Sequence, residues 1–238
     1  RLFNAFYGVT QKGNFEEGKT IIHVATSVKQ LGKVFGKNPK DIENILTDAR
    51  TNIFKERQKR IRPHKDDKVI TAWNGLMVSS FAYGGTVLEE EKYIAATKRS
   101  AEFILSTLYK NNRLMRYYRG GRAVEKAFLD DYAFMIAALL DLYEATFDAK
   151  WLIEAKKLGK QIIELFADSK EGGFFLTGSD GELLIARTKP GTEGSIPSGN
   201  SIAALVLLKL GRLTMNQRFI EQGDRTLEAF SQQLERTP

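Results

Sequence analysis

Two adjacent carboxylates, Asp130 and Asp131, precede a stretch from Tyr132 to Leu140 that has no charged or amide side chain. The length of this stretch and its Ala, Leu and Met content favour a helix over a strand. A helix that is apolar on every side is buried on every side. One carboxylate can cap the free N–H groups of the first turn. Two acids exceed what capping requires, so the second acid indicates a functional site.

Polar and aromatic side chains also mark the starts of two other nearly uncharged stretches, 71–83 and 202–210, and the loop before the second one carries charges. Acids and amides bond vicinal hydroxyl groups, and aromatic rings stack on C–H faces, so these groups together suit a polyhydroxylated ligand. The predicted substrate-binding residues are Asp66, Asp67, Trp73, Asn74, Asp130, Tyr132, Arg187, Lys189, Ser198 and Asn200.

Two reactions are compatible with such a site. Glycoside hydrolysis needs two carboxyl groups that flank the scissile bond, and Asp131 with Glu193 is the predicted catalytic pair. Sugar epimerisation usually needs a proton-shuttling base such as histidine near the centre. The only histidines are His23 and His64, and His64 follows Pro63 in a polar stretch typical of a surface. Epimerisation therefore has less support.

Each candidate also has a structural explanation. Asp130 can be an N-cap, Asp131 can favour the helix dipole, and Ser198 can be an ordinary cap. Trp73 on an apolar helix is more often part of a core. Asn74 needs a hydrogen-bond partner there and is the better site candidate. Singly these signals are weak, and their recurrence at three successive helices is what predicts a site.

The composition limits the classes of protein. The chain has 238 residues, 42% of them hydrophobic, which is enough for a large core, and no apolar run is long enough to cross a bilayer. The lack of cysteine excludes disulfides and cysteine-bound zinc, and the two histidines form no metal-ligand pair, so we predict no metal and no cofactor. No signal peptide is visible, and a cytoplasmic location is the default expectation.

The net charge of +7 does not by itself predict a nucleic-acid partner, because lysine and arginine are interleaved with acids along most helices. The one concentrated basic run, 55–62, lies at the end of a predicted helix, where cations complement the helix dipole. We therefore expect neither a nucleic-acid nor a membrane partner.

A unit of a nearly uncharged helix, an amphipathic helix and a strand-like excursion repeats about three times, at a spacing of roughly 60–70 residues. The first excursion contains residues 114–128 with a Gly120-Gly121 turn, and the second, 172–187, is predicted to be a β-hairpin. Ahead of the repeat, Asn38 and Pro39 are typical of a helix start. The apolar stripe of that helix is Ile42, Ile45, Leu46, Ala49, Ile53 and Phe54.

Apolar helices wrapped by amphipathic ones form an α/α toroid. A HEAT-like solenoid would have two similarly amphipathic helices per unit and no hairpin excursions. We therefore predict an all-α, (α/α)6-toroid-like fold in which residues 1–238 form one domain, an incomplete ring of three hairpins and part of a fourth. The helix at 38–60 would be the outer member of the fourth. The inner helices would run the same way, so their N-termini would meet at one end, and their uncovered flanks would expose apolar surface.

Four motifs together resemble the C-terminal region of the YyaL-like, spermatogenesis-associated protein 20 family. They are Asp66–Met77, Phe128–Phe134, Gly172–Phe175 and Pro197–Ser201. The resemblance extends from about Tyr7 to the end of the chain. It implies a six-hairpin toroid related to N-acylglucosamine 2-epimerases and glycosidases, which in the family follows a thioredoxin-like domain. It implies the fold and leaves the activity open.

The chain is accordingly expected to be part of a longer protein, without the thioredoxin-like domain, and that domain is an expected partner. One departure concerns the loop before the Pro-Ser-Gly-Asn motif, where the family has Asp-Gly-Ala and this chain has Glu193-Gly194-Ser195. A longer acid reaches about one methylene further, so the family's geometry does not transfer directly to Glu193.

Two functions remain open. The first is a carbohydrate-active or carbohydrate-binding site at the N-terminal ends of the inner helices, for which Asp131, Asn74 and Asn200 are expected to line one cavity. The second is a non-catalytic helical scaffold that docks a thioredoxin-like domain or another protein, with the acids buried in caps and salt bridges.

Overall fold

The computed structural model describes residues 1–182 and 184–236, which group into two compact units, residues 1–66 and residues from 67 onward. The α-helices are α1 Leu2–Phe6, α2 Val28–Phe35, α3 Pro39–Gln58, α4 Thr71–Val87, α5 Glu91–Phe103, α6 Leu129–Thr146, α7 Ala149–Phe166, α8 Gly199–Thr214, α9 Gln217–Ala229 and α10 Ser231–Arg236. The strands are β1 Val69–Ile70, β2 Tyr109–Lys110, β3 Arg113–Arg119 and β4 Arg122–Lys126.

The first unit contains α1, α2 and α3. Its core consists of Leu2, Phe6, Leu31, Ile42 and Leu46. The predicted start of α3 is confirmed, because Pro39 is its first residue and the Asn38 Oδ1 accepts a hydrogen bond from the Asp41 N–H at 2.9 Å. The assignment of α3 to a fourth hairpin stays a prediction.

The apolar stripe of α3 is buried only in part. Ile42 and Leu46 are fully buried, whereas Ile53 and Phe54 are 45% and 56% exposed. The helix therefore uses the first half of its apolar stripe for the core of the first unit.

The second unit has the predicted order of inner and outer helices. The hairpins are α4–α5, α6–α7 and α8–α9, and α6 packs side by side against both α4 and α8. Helices α4, α6 and α8 are the apolar, inner members, and α5, α7 and α9 are the amphipathic, outer members. The all-α, toroid-like fold class is confirmed.

Helix α6 is the most buried element of the second unit, since every residue from Leu129 to Leu140 except Asp130 and Ala137 is buried. Its backbone comes so close to α4 that a Cβ added at Gly75 would lie 2.8 Å from the carbonyl carbon of Phe134. Glycine at this position thus permits the two inner helices to approach each other.

The first excursion forms a small antiparallel sheet. Strand β3 pairs with β1, β2 and β4, and Tyr118 faces both Val69 and Ala123 in the register. The turn between β3 and β4 contains Gly120 and Gly121, both with positive φ. The predicted strand-like segment with a Gly-Gly turn is confirmed, and β1 leads directly into α4.

The predicted β-hairpin at 172–187 is wrong for the described part of that segment, where no extended ladder forms. The backbone contacts of this segment are scattered, and they include an isolated bridge between Ala167 and Phe174 and a hydrogen bond from the Leu176 N–H to the Thr188 carbonyl at 2.8 Å. The Asn200 side chain binds both the N–H and the carbonyl of Phe174 at 2.8 and 2.9 Å. A side-chain amide thus replaces a partner strand.

Large apolar side chains are exposed on the outer flanks of the inner helices, as expected for an incomplete ring. On α4 these are Trp73, Met77, Phe81, Tyr83 and Val87, and on α8 Leu205 and Leu213.

Candidate functional site

Asp131 joins the N-termini of α6 and α4. Its Oδ2 accepts a hydrogen bond from the Phe128 N–H at 2.9 Å, and its Oδ1 accepts one from the Ala72 N–H at 2.9 Å. The residue is only 3% exposed. Burial raises its pKa to about 6, although the two N–H groups and Arg116 oppose the shift. Both oxygens are therefore engaged in holding two helix ends together.

Asp130 turns toward the other neighbour, α8. A Cβ built on Gly199 would lie 2.1 Å from the Asp130 Oδ1, so any larger residue there would displace the Asp130 side chain. This oxygen is buried and has no hydrogen-bond partner among the described residues. Burial raises the pKa of Asp130, while the Arg116 charge and the nearby Gly199 N–H lower it. The Arg116 guanidinium lies 4.0 Å from the centre of the Phe128 ring, beside the same helix start.

These contacts explain why two acids stand together. Asp131 binds the first turn of α4 and Asp130 contacts the first residue of α8, so one acid serves each neighbour of α6. The predicted gathering of the three inner-helix N-termini at one end is thereby found.

The residues predicted at the start of α4 are exposed or have partners other than Asp131. Asp67 forms an exposed ion pair with Arg119 at 2.9 Å, and Trp73 is 61% exposed. The Asn74 Nδ2 donates a hydrogen bond to the Ile70 carbonyl at 2.8 Å. Asp66 is exposed and belongs to the first unit.

Tyr132 is fully buried and has a structural environment. Its hydroxyl oxygen accepts hydrogen bonds from the Arg113 Nη1 at 2.8 Å and the Leu114 N–H at 3.0 Å. Arg113 also forms an ion pair with Asp180 at 3.1 Å. The phenol ring thus anchors β3 to α6.

Arg187 and Lys189 attach the long loop before α8 to the end of α7. The Arg187 guanidinium stacks 4.2 Å from the centre of the Phe175 ring and donates a hydrogen bond to the Thr177 carbonyl. Lys189 forms an ion pair with Asp168 at 2.8 Å. Hydrogen bonds from Lys189 and from two backbone N–H groups lower the Asp168 pKa to about 2.

The loop also places Glu193 at the N-terminus of α8. The Glu193 Oε2 accepts a hydrogen bond from the Ser198 N–H at 2.8 Å, and its Oε1 accepts one from the Ser201 hydroxyl at 2.6 Å. Ser198 is the N-cap, and its hydroxyl oxygen accepts a hydrogen bond from the Ser201 N–H at 3.1 Å. Glu193 remains exposed, in contrast to Asp131.

A cavity of about 440 Å³ opens beside this corner. It is lined by Gly191, Thr192, Glu193, Asn200, Ser201, Ala204, Thr226, Leu227, Phe230 and Gln233. It therefore combines two predicted site residues with three hydroxyl groups and an aromatic ring. In the described part of the chain Asp131 and Asn74 do not line it, so this cavity does not unite Asp131, Asn74 and Asn200 as expected. Gly191 packs directly on the Phe230 ring.

Ser201, Thr226 and Phe230 were not among the predicted site residues. Phe230 and Leu227 belong to the apolar periodicity of the third outer helix, which is equally typical of a core. Only the approach of the loop containing Gly191 distinguishes this ring from a core side chain.

Within residues 1–182 and 184–236, no group of three or more His, Cys, Asp or Glu side chains could hold a metal ion. None of the helices in these same ranges is both long and apolar enough to cross a membrane.

Comparison with curated sequences bears out the resemblance seen in the motifs. The chain is homologous to spermatogenesis-associated protein 20. It is 33% identical to the human protein and 32% identical to the mouse protein over all of this chain, and 30% identical to an uncharacterised Caenorhabditis elegans protein over 83% of it. The chain spans about a third of the length of the two mammalian relatives. No protein-family model matches it.

Solved structures confirm the toroid fold. Cellobiose 2-epimerase from Spirochaeta thermophila has a TM-score of 0.55 at 16% identity, covering 68% of this chain and 43% of the epimerase. A family 76 α-mannanase from Bacteroides thetaiotaomicron has a TM-score of 0.58 at 15% identity, covering 80% and 56%. A family 105 glycoside hydrolase from Clostridium acetobutylicum has a TM-score of 0.57 at 14% identity, covering 85% of this chain and 60% of the hydrolase. These neighbours share the (α/α)6 toroid of sugar epimerases and glycoside hydrolases.

Proposed function

We propose that the protein binds a carbohydrate, or another polyhydroxylated small molecule, in the cavity at the N-terminus of α8. The observation that carries this proposal is the meeting of the Glu193 carboxylate, the Ser201 and Thr226 hydroxyls and the Phe230 ring around one volume of about 440 Å³. A volume of this size is typical of small-molecule sites. Hydroxyl groups of a sugar would bind the polar side, and its C–H face would lie on the ring.

Glu193 is suited to this role because the two hydrogen bonds that its carboxylate accepts leave other lone-pair positions unused. A carboxylate offers about four lone-pair positions, and two of them accept the Ser198 N–H and the Ser201 hydroxyl. The remaining positions are available to sugar hydroxyls. The carboxylate lies at the positive end of the α8 dipole, and hydrogen bonds to a charged acceptor are stronger than bonds between neutral groups.

For hydrolysis, a second acid is required. Asp131 with Glu193 stays the pair predicted from the sequence, but both Asp131 oxygens accept backbone hydrogen bonds. Asp130 contacts Gly199, next to the Ser198 that binds Glu193, and has an oxygen without a partner among the described residues. Within the described ranges neither acid lines the cavity, and we favour Asp130 over Asp131 as the acid on α6 because of this oxygen and its contact with α8.

The fold supports a carbohydrate ligand only by analogy, since one fold hosts many functions. The neighbours include a cellobiose 2-epimerase and an α-mannanase by name. Cellobiose and mannobiose are accordingly the first ligands to test.

The test is a saccharide screen on the 238-residue chain by saturation-transfer NMR. The wild type is expected to bind at least one neutral mono- or disaccharide of the panel, and Glu193→Gln and Phe230→Leu are expected to lose binding. Glu221→Gln, a change at an exposed glutamate of α9 outside the cavity, is the matched control. Failure of the whole panel, or equal binding by Glu193→Gln and the wild type, would reject the proposal.

A second candidate is a scaffold that docks a thioredoxin-like domain or another protein. It is favoured by the engagement of Asp131 in helix caps and by the exposed stripe of Trp73, Met77 and Phe81 on α4. In this case no saccharide would bind. A thioredoxin-like domain added in trans would instead raise the melting temperature of the wild type and not of Trp73→Ala.

A further inference from the structure

The three hairpins turn in short loops at the C-termini of the inner helices. These loops are residues 88–90 between α4 and α5, 147–148 between α6 and α7, and 215–216 between α8 and α9. The N-termini of the inner helices meet at one end and the helices have similar lengths of 17, 18 and 16 residues, so the three loops lie together at the other end. We call the surface that these loops form the C-terminal face. It lies about 24 Å from the N-terminus of α8, the length of a 16-residue helix.

Each loop of the C-terminal face exposes one large apolar side chain. Leu88 is 62% exposed, Phe147 is 83% exposed and Met215 is 90% exposed. A single exposed apolar residue is ordinary, but tight loops usually have glycine, asparagine or aspartate. The recurrence of such a residue in the loops of all three hairpins therefore indicates a contact surface.

The backbone at two of these residues has an unusual conformation. Phe147 and Met215 are the C-caps of α6 and α8, and both are left-handed, with φ of 54° and 52°. Glycine and asparagine adopt this conformation at a helix end far more readily than a residue with a large side chain. The local backbone thus disfavours Phe147 and Met215, whereas a partner that covers both side chains would account for their presence.

The charges of the C-terminal face are separated along the row of loops. Glu89 and Glu90 lie in the loop after α4, whereas Arg212 and Arg218 flank the loop after α8, and all four are exposed. Within residues 1–182 and 184–236, Glu89, Arg212 and Arg218 form no ion pair. Arg218 is the second residue of α9, where the positive end of the helix dipole opposes a cation. Its charge therefore has no local explanation.

We propose that the C-terminal face binds a second copy of this chain in a two-fold symmetric dimer. Helix α6 packs between α4 and α8, so a two-fold axis through the end of α6 exchanges the other two loops. Phe147 would then contact Phe147 of the second copy, and Leu88 would contact Met215 of the second copy.

Charge complementarity is the reason to choose a second copy over an unrelated partner. In a two-fold dimer the acidic loop of each copy faces the basic loop of the other, so Glu89 would pair with Arg218 of the second copy, twice in each dimer. The cavity beside Glu193 lies at the opposite end of α8 and stays open. The dimer is therefore independent of carbohydrate binding.

The test is sedimentation velocity on the 238-residue chain over about a hundredfold range of protein concentration, because a small interface is weak and dissociates on dilution. The wild type is expected to change from monomer to dimer across this range. Phe147→Asn is expected to weaken the dimer about tenfold or more, because it removes the central apolar contact from both copies.

Phe147→Asn also separates dimerisation from folding. Asparagine tolerates the left-handed conformation, so the melting temperature of this variant is not expected to fall. Ile185→Asn, at another exposed apolar residue in the long loop before α8, is the matched control and is expected to dimerise like the wild type.

Charge reversal gives the sharper result. Glu89→Arg alone and Arg218→Glu alone place like charges across the interface, so each variant is expected to stay monomeric where the wild type is a dimer. An equimolar mixture of the two variants restores opposite charges at both contacts and is expected to form the heterodimer. A local effect of either substitution would not be reversed by mixing.

Three results would overturn the proposal. They are a wild type that stays monomeric at every concentration, which would leave the C-terminal face to a different partner, dimerisation of Phe147→Asn equal to that of the wild type, and an equimolar mixture of the charge variants that forms no heterodimer.

Discussion

The N-termini of α6 and α8 each have an acid beside them, and they use these carboxylates in opposite ways. At α6, Asp131 is 3% exposed and both its oxygens accept backbone N–H groups. At α8, Glu193 lies in a loop, is exposed and borders a cavity. An acid inside the first turn of a buried helix uses both its oxygens to accept hydrogen bonds from the N–H groups of helix ends. An acid on the loop before a helix can cap that helix and still face a ligand.

The largest effect is expected from Asp131→Ala. The substitution leaves the buried Ala72 N–H and the part-buried Phe128 N–H without an acceptor, and each unsatisfied buried donor costs about 1–3 kcal/mol. We expect the free energy of unfolding, measured with urea, to fall by about 2–5 kcal/mol. A loss below about 0.5 kcal/mol, which is usual for surface positions, would show that Asp131 does not join these helices.

The pH dependence of stability tests the same residue. The pKa of Asp131 is raised to about 6 in the folded chain from 3.8, so the native state binds the proton more tightly than the unfolded state. Its contribution is therefore fully present below about pH 4 and is lost as the pH rises through about 6, a change on the order of 3 kcal/mol. Urea unfolding of the wild type and Asp131→Asn between pH 4 and 7 should show the wild type losing stability relative to the variant. Parallel curves would contradict the raised pKa.

Gly199→Ala probes the contact on the other side of α6. The new Cβ would meet the Asp130 Oδ1 at 2.1 Å, and overpacking of this kind costs about 1–3 kcal/mol. We expect thermal unfolding to occur at lower temperature, with partial recovery in the double variant Gly199→Ala, Asp130→Ala. Gly194→Ala is the control, because no atom lies within 4 Å of its added Cβ. Equal effects at the two glycines would show that α6 and α8 do not meet there.

The smallest effect on stability is expected at Glu193. Glu193→Gln keeps one carbonyl oxygen as acceptor for the Ser198 N–H, so it loses mainly the interaction of the charge with the helix dipole. At an exposed site this interaction contributes about 0.3–1 kcal/mol to the free energy of unfolding. Urea unfolding should show this small loss beside the large one of Asp131→Ala. A loss above about 2 kcal/mol would place Glu193 with Asp131 as a structural acid.

Local signals in the sequence predicted the elements well. Asn38 and Pro39 start α3, because a cap and a proline act within one turn, and the uncharged stretches became the inner helices because burial on all sides requires apolar residues. The hairpin at 172–187 was wrong because Asn200, 26 residues beyond Phe174, takes the backbone bonds that a strand would make.

The sequence could not show that the paired acids join neighbouring helices, because the partner of each acid on the other helix is distant in the sequence. Of the two backbone partners of Asp131, Phe128 is local but Ala72 lies 59 residues earlier, and nothing in the composition of either segment marks the bond to Ala72. The sequence did single out Glu193 and Asn200, which line the cavity, but it grouped Phe230 with the apolar stripe of its helix. Convergence of loops and helices from distant segments is what separates a ligand-facing ring from a core ring.

Saturation-transfer NMR with a saccharide that the wild type binds, repeated on folded Glu193→Gln and Asp131→Asn, tests the contrast between the two corners most directly. We predict that Glu193→Gln loses the transfer signal and that Asp131→Asn, although less stable at pH 4, keeps it. Loss of the signal in Asp131→Asn together with its retention in Glu193→Gln would contradict the account and move the site to α6.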